Sequence, residues 1–318
     1  MHVFRGLPNA DARTPCVLTI GNFDGVHRGH QVLLKRLVEL ARSRRLPSAV
    51  MTFEPHPREY FAHMSGDPSR APARIANLRD KLEGLAECGV DRVIVERFNA
   101  RFSSLTAQQF IEDVLVEGCH AKHVLVGDDF RFGAKRGGDF ASLQLAGATY
   151  GFEVEAMPTV VNQHGDRVSS SALRHALAAA DFDRAALMLG RPYSISGRVI
   201  HGRKLGRTLG FPTLNLAIHH RRPAVTGIFV TRVHGLADHP LNAVASLGVR
   251  PTVEDAGRVL LEPHVLDWQG DAYGRLVRVE FCAKLHDEVK YASLEALRLG
   301  IADDERAARA WFAERGFR

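Results

Sequence analysis

The sequence predicts an α/β protein of two domains: a parallel sheet with helical crossovers, then a small antiparallel barrel or sandwich closed by a C-terminal helix. Three observations carry this. The first half alternates apolar runs with helical patterns at βα spacing. After about residue 180 the alternation stops, and five short apolar runs separated by turn residues follow. The length, 318 residues, suits two cores rather than one.

In the first half, residues 16–20 are an apolar run of strand length, and a helical pattern covers 29–45. A strand is predicted at 48–53, a helix at 74–88, a strand at 92–95 and a helix at 106–117. A strand at 123–126, a helix at 139–150 and a strand at 152–156 complete the series. Ligands of such sheets bind beyond the carboxyl ends of the strands. A helical stretch over 169–189 leads to Gly190-Arg191-Pro192, a linker composition. The boundary is placed there, giving domains 1–185 and 186–318. The second domain has strands predicted at 195–200, 227–233, 242–247, 260–266 and 277–282. A final helix runs from 293 to about 314.

Composition narrows the function classes. Apolar residues make up 45% and charged residues 25%, as in an ordinary globular protein. No uncharged apolar run approaches the ~18 residues of a membrane span. The N-terminus lacks a basic start, apolar core and small-residue cleavage site, so the expected compartment is the cytoplasm. The four cysteines, Cys16, Cys88, Cys119 and Cys282, form no Cys-x-x-Cys pair. The His and Cys side chains of Cys119-His120-Ala121-Lys122-His123 lack the second ligand cluster of a structural metal site. The net charge is +6, and no Asp or Glu falls between Asp183 and Asp238. Arg191, Arg198, Arg203, Lys204, Arg207, Arg221, Arg222 and Arg232 all lie in that interval. Such a field attracts a polyanion, either nucleotide phosphates or nucleic acid. Against nucleic acid, the second half lacks a row of aromatics for base stacking.

The strand at 16–20 runs into Gly21-Asn22-Phe23-Asp24-Gly25-Val26-His27-Arg28-Gly29-His30. Glycines let backbone amides approach a phosphate, and a helix start adds unpaired N–H groups. His27 and His30 are three apart, on one face of the first turn. There they can donate hydrogen bonds as charge moves onto a departing pyrophosphate, which is electrostatic rather than nucleophilic catalysis of adenylyl transfer. Three segments at other element ends converge with it: Thr52-Phe53-Glu54-Pro55-His56-Pro57, Gly127-Asp128-Asp129-Phe130-Arg131-Phe132-Gly133, and Ser169-Ser170-Ser171-Ala172-Leu173-Arg174. The serines open a helix, and Arg174 can fork onto phosphate.

A second phosphate loop lies at Gly202-Arg203-Lys204-Leu205-Gly206-Arg207-Thr208-Leu209-Gly210. It is not a Walker A sequence. In the following Phe211-Pro212-Thr213-Leu214-Asn215, Thr213 and Asn215 alternate to one side. Their oxygens suit Mg2+ shared with phosphates. Glu262, on a later strand beside Pro263 and His264, is a candidate general base.

These motifs resemble the bacterial bifunctional riboflavin kinase/FAD synthetase family, over nearly the whole chain from about residue 14. The resemblance implies a Rossmann-like nucleotidyltransferase domain that adenylates FMN, followed by a six-stranded barrel that phosphorylates riboflavin. It implies that Gly21, Asn22, Phe23, Asp24, Gly25, His27, His30, Ser170, Ser171 and Arg174 bind ATP in the first half. His56, Asp129 and Phe130 would meet the flavin there. In the second half it implies nucleotide contacts from Gly202, Lys204, Gly206, Gly210, Thr213 and Asn215. Thr213 and Asn215 would hold Mg2+, with Glu262 as base. Riboflavin, FMN, FAD and ATP are then substrates and products, with neither membrane nor nucleic acid as partner. Departures from the family pattern cluster in the second half: Phe229 for Tyr, Ser246 for Asn, Pro263 for a small or β-branched residue, His286 for Arg, and Gly300 for Gln or Lys. Ser171 for Thr and Leu173 for Ile are milder. The rival readings are adenylyl or cytidylyl transfer to another phosphate, with a degenerate second half, and a nucleic-acid-binding barrel. An aminoacyl-tRNA synthetase shares His-x-Gly-His, but no Lys-Met-Ser-Lys-Ser segment occurs.

Overall fold

The computed structural model describes residues 1–158, 168–202, 205–218, 222–249 and 259–317. The chain divides into two compact units, Met1–Pro72 with Lys81–Ser169, and Ala73–Asp80 with Ser170–Arg318.

The first unit is built on six strands: β1 (His2–Arg5), β2 (Cys16–Ile20), β3 (Ser48–Glu54), β4 (Arg92–Arg97), β5 (Ala121–Gly127) and β6 (Glu153–Met157). Their order is β1-β4-β3-β2-β5-β6, and every pairing is parallel. The helices are α1 (Arg28–Arg44), α2 (Pro57–Met64), α3 (Leu78–Glu87), α4 (Ala100–Ser104), α5 (Ala107–Gln109) and α6 (Phe140–Tyr150). The first turn of α3 belongs to the second unit. Strand alternation explains the apolar run of β2. Leu18 and Ile20 face a core with Met51, Val124, Phe110 and Leu143, whereas Val17 faces Val50, Leu125, Leu34 and Leu37.

The second unit holds α7 (Ser170–Ala178), α8 (Phe182–Leu189), β7 (Ser194–Arg198), α9 (Leu205–Thr208), β8 (Leu216–Ile218), β9 (Gly227–His234), β10 (Leu241–Val249), β11 (Val259–Val265), β12 (Leu276–His286) and α10 (Leu294–Glu314). The strands pair antiparallel in the order β7-β12-β9-β10-β11-β8. A Val199–Leu216 bridge joins the two ends into a nearly closed barrel, not a sandwich. Helix α10 lays Ala308 and Phe312 on Val230, Val244 and Leu266. The segment Ala73–Asp80 joins this unit through backbone bonds of Arg74 to Arg222 and Ala224 and through side-chain to backbone bonds. Asn77 Nδ2 donates to the Ser196 carbonyl at 2.8 Å, and the Asp80 carboxylate accepts from Ser196 N–H at 3.2 Å.

Several elements differ from the sequence expectation. The helix expected at 74–88 starts at Leu78, because Arg74 is extended and bridges Pro223. The stretch expected at 106–117 becomes α5 followed by a π-helix, Phe110–Gly118. The helix expected over 169–189 breaks at Ala180 (φ 54°), and Asp181 caps α8 by accepting from Arg184 N–H at 3.0 Å.

Candidate active sites

Strand β2 sits between β3 and β5, and the chain leaves it in both directions across the sheet. That is a topological switch point, where the carboxyl ends open a crevice. The loop Gly21–His27 fills this position, with Phe23, Asp24, Val26 and His27 buried. Val26 holds φ 43° and Phe23 φ 47°. A β-branched residue in the left-handed region is rare, and such outliers gather at functional sites. The loop is tied down on both sides. Thr52 Oγ1 donates to the Asn22 carbonyl at 3.1 Å, and Gln31 Nε2 to the Val26 carbonyl at 2.9 Å.

The two histidines come together as the spacing predicts. Their rings stack with centroids 3.7 Å apart and 16° between planes. Phe23 backs His30 at 5.0 Å. His27 is the N-cap of α1, and its Nδ1 accepts from His30 N–H at 3.3 Å. With Nδ1 accepting, Nε2 carries the proton and is a donor. The glycine of the motif has a steric cause: a Cβ at Gly29 would lie 3.0 Å from the Val168 carbonyl oxygen and 3.2 Å from the His27 ring. The Asn22 Oδ1 atom is buried with no hydrogen-bond partner among the described residues.

His56 lies at the carboxyl end of β3, buried, as the cap of α2. Its Nδ1 accepts from Arg58 N–H at 3.1 Å, and its own N–H donates to Glu59 at 3.1 Å. After β5, Asp129 is exposed and Phe130 half-buried, stacked on Phe132 at 5.6 Å. Strands β3 and β5 flank β2, so these residues share one end of the sheet. Ser170 and Ser171 open α7 in the second unit, and Arg174 Nε donates to the Ala73 carbonyl at 2.6 Å.

The second unit carries a cavity of about 430 Å³ between the barrel and α10. Thr213, Asn215, Glu262, Gly206 and Ser246 line it. Gly202 lies against Asn215, and a Cβ there would overlap Oδ1. Gly210 is exposed, and Lys204 lies outside the described residues. The Asn215 amide donates to the Thr213 carbonyl at 3.5 Å, and its Oδ1 is buried without a hydrogen-bond partner among the described residues. An orphaned amide oxygen beside a hydroxyl fits a hard cation such as Mg2+. No group of three or more His, Cys, Asp or Glu side chains among the described residues could hold a metal instead.

Sequence reasoning left the polar lining residues His264, Glu288, Tyr291 and Asp304 without a role. Alternation along β11 could have flagged His264, two residues from Glu262. Loss of solvent, then the nearby Glu262 charge, raises the Glu288 carboxyl above its ordinary value. Three of the departures, Phe229, His286 and Gly300, acquire physical reasons. Phe229 is fully buried among Phe182 and Phe281, where a tyrosine hydroxyl would need a partner. His286 donates from Nε2 to Asp304 at 2.6 Å and from Nδ1 to the Asp287 carbonyl at 2.7 Å. Desolvation pulls its pKa down, but these two acceptors outweigh it and the net shift is upward. The Tyr291 hydroxyl occupies the space a side chain at Gly300 would take. Ser246 faces Glu262 directly in the β10–β11 ladder. Burial pushes the Cys16 and Cys282 thiols up to about 12, and Cys119 upward as well, which disfavours the thiolate at these three positions.

Comparison with known proteins gives a family match for each half of the chain. The FAD synthetase family model matches residues 9–172, and the riboflavin kinase family model residues 189–312. A bifunctional riboflavin kinase/FMN adenylyltransferase from Escherichia coli is 49% identical over 314 residues, covering 98% of each chain. Its counterpart from Pseudomonas fluorescens is 50% identical over 311 residues, covering 98% of this chain and 97% of its own. A crystal structure described as a macrolide-efflux protein from Streptococcus pneumoniae superposes with a TM-score of 0.73 at 28% identity, covering 98% of this chain and all of its own. Among the described residues, no helix is long and apolar enough to cross a membrane. The chain belongs to the bifunctional riboflavin kinase/FMN adenylyltransferase family.

Proposed function

We propose that the chain makes FAD from riboflavin in two ATP-dependent steps, one in each unit. In the barrel, Glu262 takes the proton of the ribityl 5′-hydroxyl. That oxygen bonds to the γ-phosphorus of ATP as the bond to the β-phosphate oxygen breaks, giving FMN and ADP. Thr213 and Asn215 would hold Mg2+, which supplies charge neutralisation of the phosphates when bound. Gly202, Lys204, Gly206 and Gly210 are the proposed loop contacts of this nucleotide.

In the first unit, an FMN phosphate oxygen bonds to the α-phosphorus of a second ATP and pyrophosphate leaves. Nε2–H of His27 and the imidazole of His30 donate hydrogen bonds to the departing charge. Gly21, Asn22, Phe23, Asp24 and Gly25 approach the phosphates. His56, Asp129 and Phe130 are proposed to meet the flavin. Ser170, Ser171 and Arg174, at the start of the second unit, are proposed as phosphate ligands on the strength of the sequence motif alone. We assign adenylyl transfer to residues 1–185 and phosphorylation to 186–318, and place the enzyme in the cytoplasm.

What supports this reading is the stacked His27–His30 pair in the first unit and the cavity lined by Thr213, Asn215 and Glu262 in the second, in a chain 98% covered by a bifunctional relative. Incubation with riboflavin and Mg-ATP, with the flavins separated by chromatography, tests it. FMN followed by FAD is expected. Riboflavin returned unchanged refutes the kinase step, and FMN that is never adenylated refutes the second.

A further inference from the structure

The nucleotide loop and the general base reach the kinase cavity from different elements. Thr213 and Asn215 precede β8, whereas Glu262 lies on β11. Phosphoryl transfer depends on positioning, so something must hold the two in register. The ladder between β8 and β11 pairs Leu216 with Leu261 but does not extend to Thr213. What reaches further is one backbone bond and one side chain. Leu214 N–H donates to the Pro263 carbonyl at 2.9 Å, and His264 Nδ1–H donates to the Pro212 carbonyl at 2.8 Å.

His264 is well placed to fix that loop. It lies two residues from Glu262 on the same strand, so both side chains face the cavity. Phe211 packs edge-on against its ring at 5.6 Å. From the other side, Glu305 of α10 stands 3.8 Å from Nε2. Glu305 is itself held by Arg309 Nε at 2.8 Å, and Arg309 clamps Asp267 through two bonds of 2.7 and 2.8 Å. The imidazole, carried by β11, is therefore bonded to the nucleotide loop, with Phe211 and the Glu305 carboxylate of α10 as its neighbours.

We infer that His264 is a positioning residue for the kinase step: it fastens the Pro212–Asn215 loop at the distance from Glu262 that transfer requires. The inference rests on the kinase reading above. It concerns the nucleotide side of the cavity, so it bears on turnover and on Mg-ATP more than on riboflavin.

The test uses the full chain with three substitutions. The Asn side-chain amide reaches about as far as Nδ1, whereas that of Gln reaches about as far as Nε2. His264→Ala lowers kcat for FMN formation by roughly ten- to a hundredfold, the scale of a misplaced reacting group. The KM for riboflavin stays near the parent value. His264→Asn recovers most of the loss and His264→Gln does not, although the two melt at similar temperatures. Conversion of supplied FMN to FAD stays at the parent rate throughout, which shows that the first unit is intact, while the melting temperatures and the unchanged KM for riboflavin report on the barrel. Two outcomes overturn the inference: His264→Ala turning over at the parent rate, or His264→Asn and His264→Gln behaving alike. A parent chain that makes no FMN while still adenylating supplied FMN overturns the kinase reading instead, and the inference with it.

Discussion

Replacing His27 separates a structural role from a chemical one, because the structure gives this side chain both. Its Nδ1 caps α1 by accepting from His30 N–H at 3.3 Å, and its Nε2–H is the proposed pyrophosphate donor. His27→Ala removes both functions. His27→Asn keeps a good N-cap and removes the imidazole. Loss of a side-chain cap costs about 0.5–2 kcal/mol, and the long bond here places it at the low end. For a unit of this size that lowers the melting temperature by only ~1–4 °C. Against a net stability of about 5–15 kcal/mol, nearly all molecules stay folded. Loss of a transition-state donor costs roughly a hundred- to a thousandfold in rate, or about 2.7–4 kcal/mol. Both variants should therefore lose FAD formation to a similar degree, and only His27→Ala should melt early. The assay follows FAD from supplied FMN and Mg-ATP, with FMN formation from riboflavin as internal control. If His27→Asn adenylates FMN within a few-fold of the parent, the imidazole is a cap and nothing more.

Glu262→Gln should abolish FMN formation from riboflavin while supplied FMN still becomes FAD, with the loss in kcat rather than in nucleotide affinity; a kinase rate near the parent value would remove Glu262 as the base. A fragment of residues 186–318 should phosphorylate riboflavin without making FAD, yet melt well below a fragment that begins at residue 170. The shorter one lacks Phe182, buried against Tyr193, Phe229 and Phe281. A Phe deletion of this kind costs ~3–5 kcal/mol. Equal melting temperatures would show that α8 is dispensable to the barrel core. The His286–Asp304 pair adds a pH dependence. The folded pKa of His286 is raised, so its contribution is complete below the ordinary imidazole value of about 6.5 and fades as pH climbs through the raised value. Asp304→Asn should narrow the gap in melting temperature between mildly acidic and mildly alkaline buffer. An unchanged profile would mean the pair is neutral in the fold.

The parts of the molecule legible in the sequence are those governed by local rules. The buried run of β2, the cap at Ser293 of α10 and the His27–His30 spacing each follow from neighbours in the chain. What escaped depends on distant partners. Strand β1 is four residues with no alternation of polar and apolar side chains, and it exists because it pairs with β4. Strand β8 is three residues long and closes the barrel only through β11 and Val199. The break at Ala180 carries no glycine or proline, and only the capping Asp181 marks it. The membership of residues 73–80 in the second unit rests on partners about a hundred residues or more away, among them Ser196, Pro223 and Arg174. The cavity followed the same pattern. Thr213, Asn215 and Glu262 could be singled out by residue type, whereas His264 and Asp304 gain meaning from Pro212 and His286, which only folding brings near.

The central claim, two phosphate-transfer sites in one chain acting in sequence on a flavin, is tested most directly by a time course. The full chain is mixed with riboflavin and Mg-ATP, and riboflavin, FMN, FAD, ADP and pyrophosphate are followed together. The account predicts that FMN and ADP rise first, that FAD and pyrophosphate follow after a lag, and that supplied FMN removes the lag. FAD that never forms from either flavin, or riboflavin consumed without release of ADP, would contradict it.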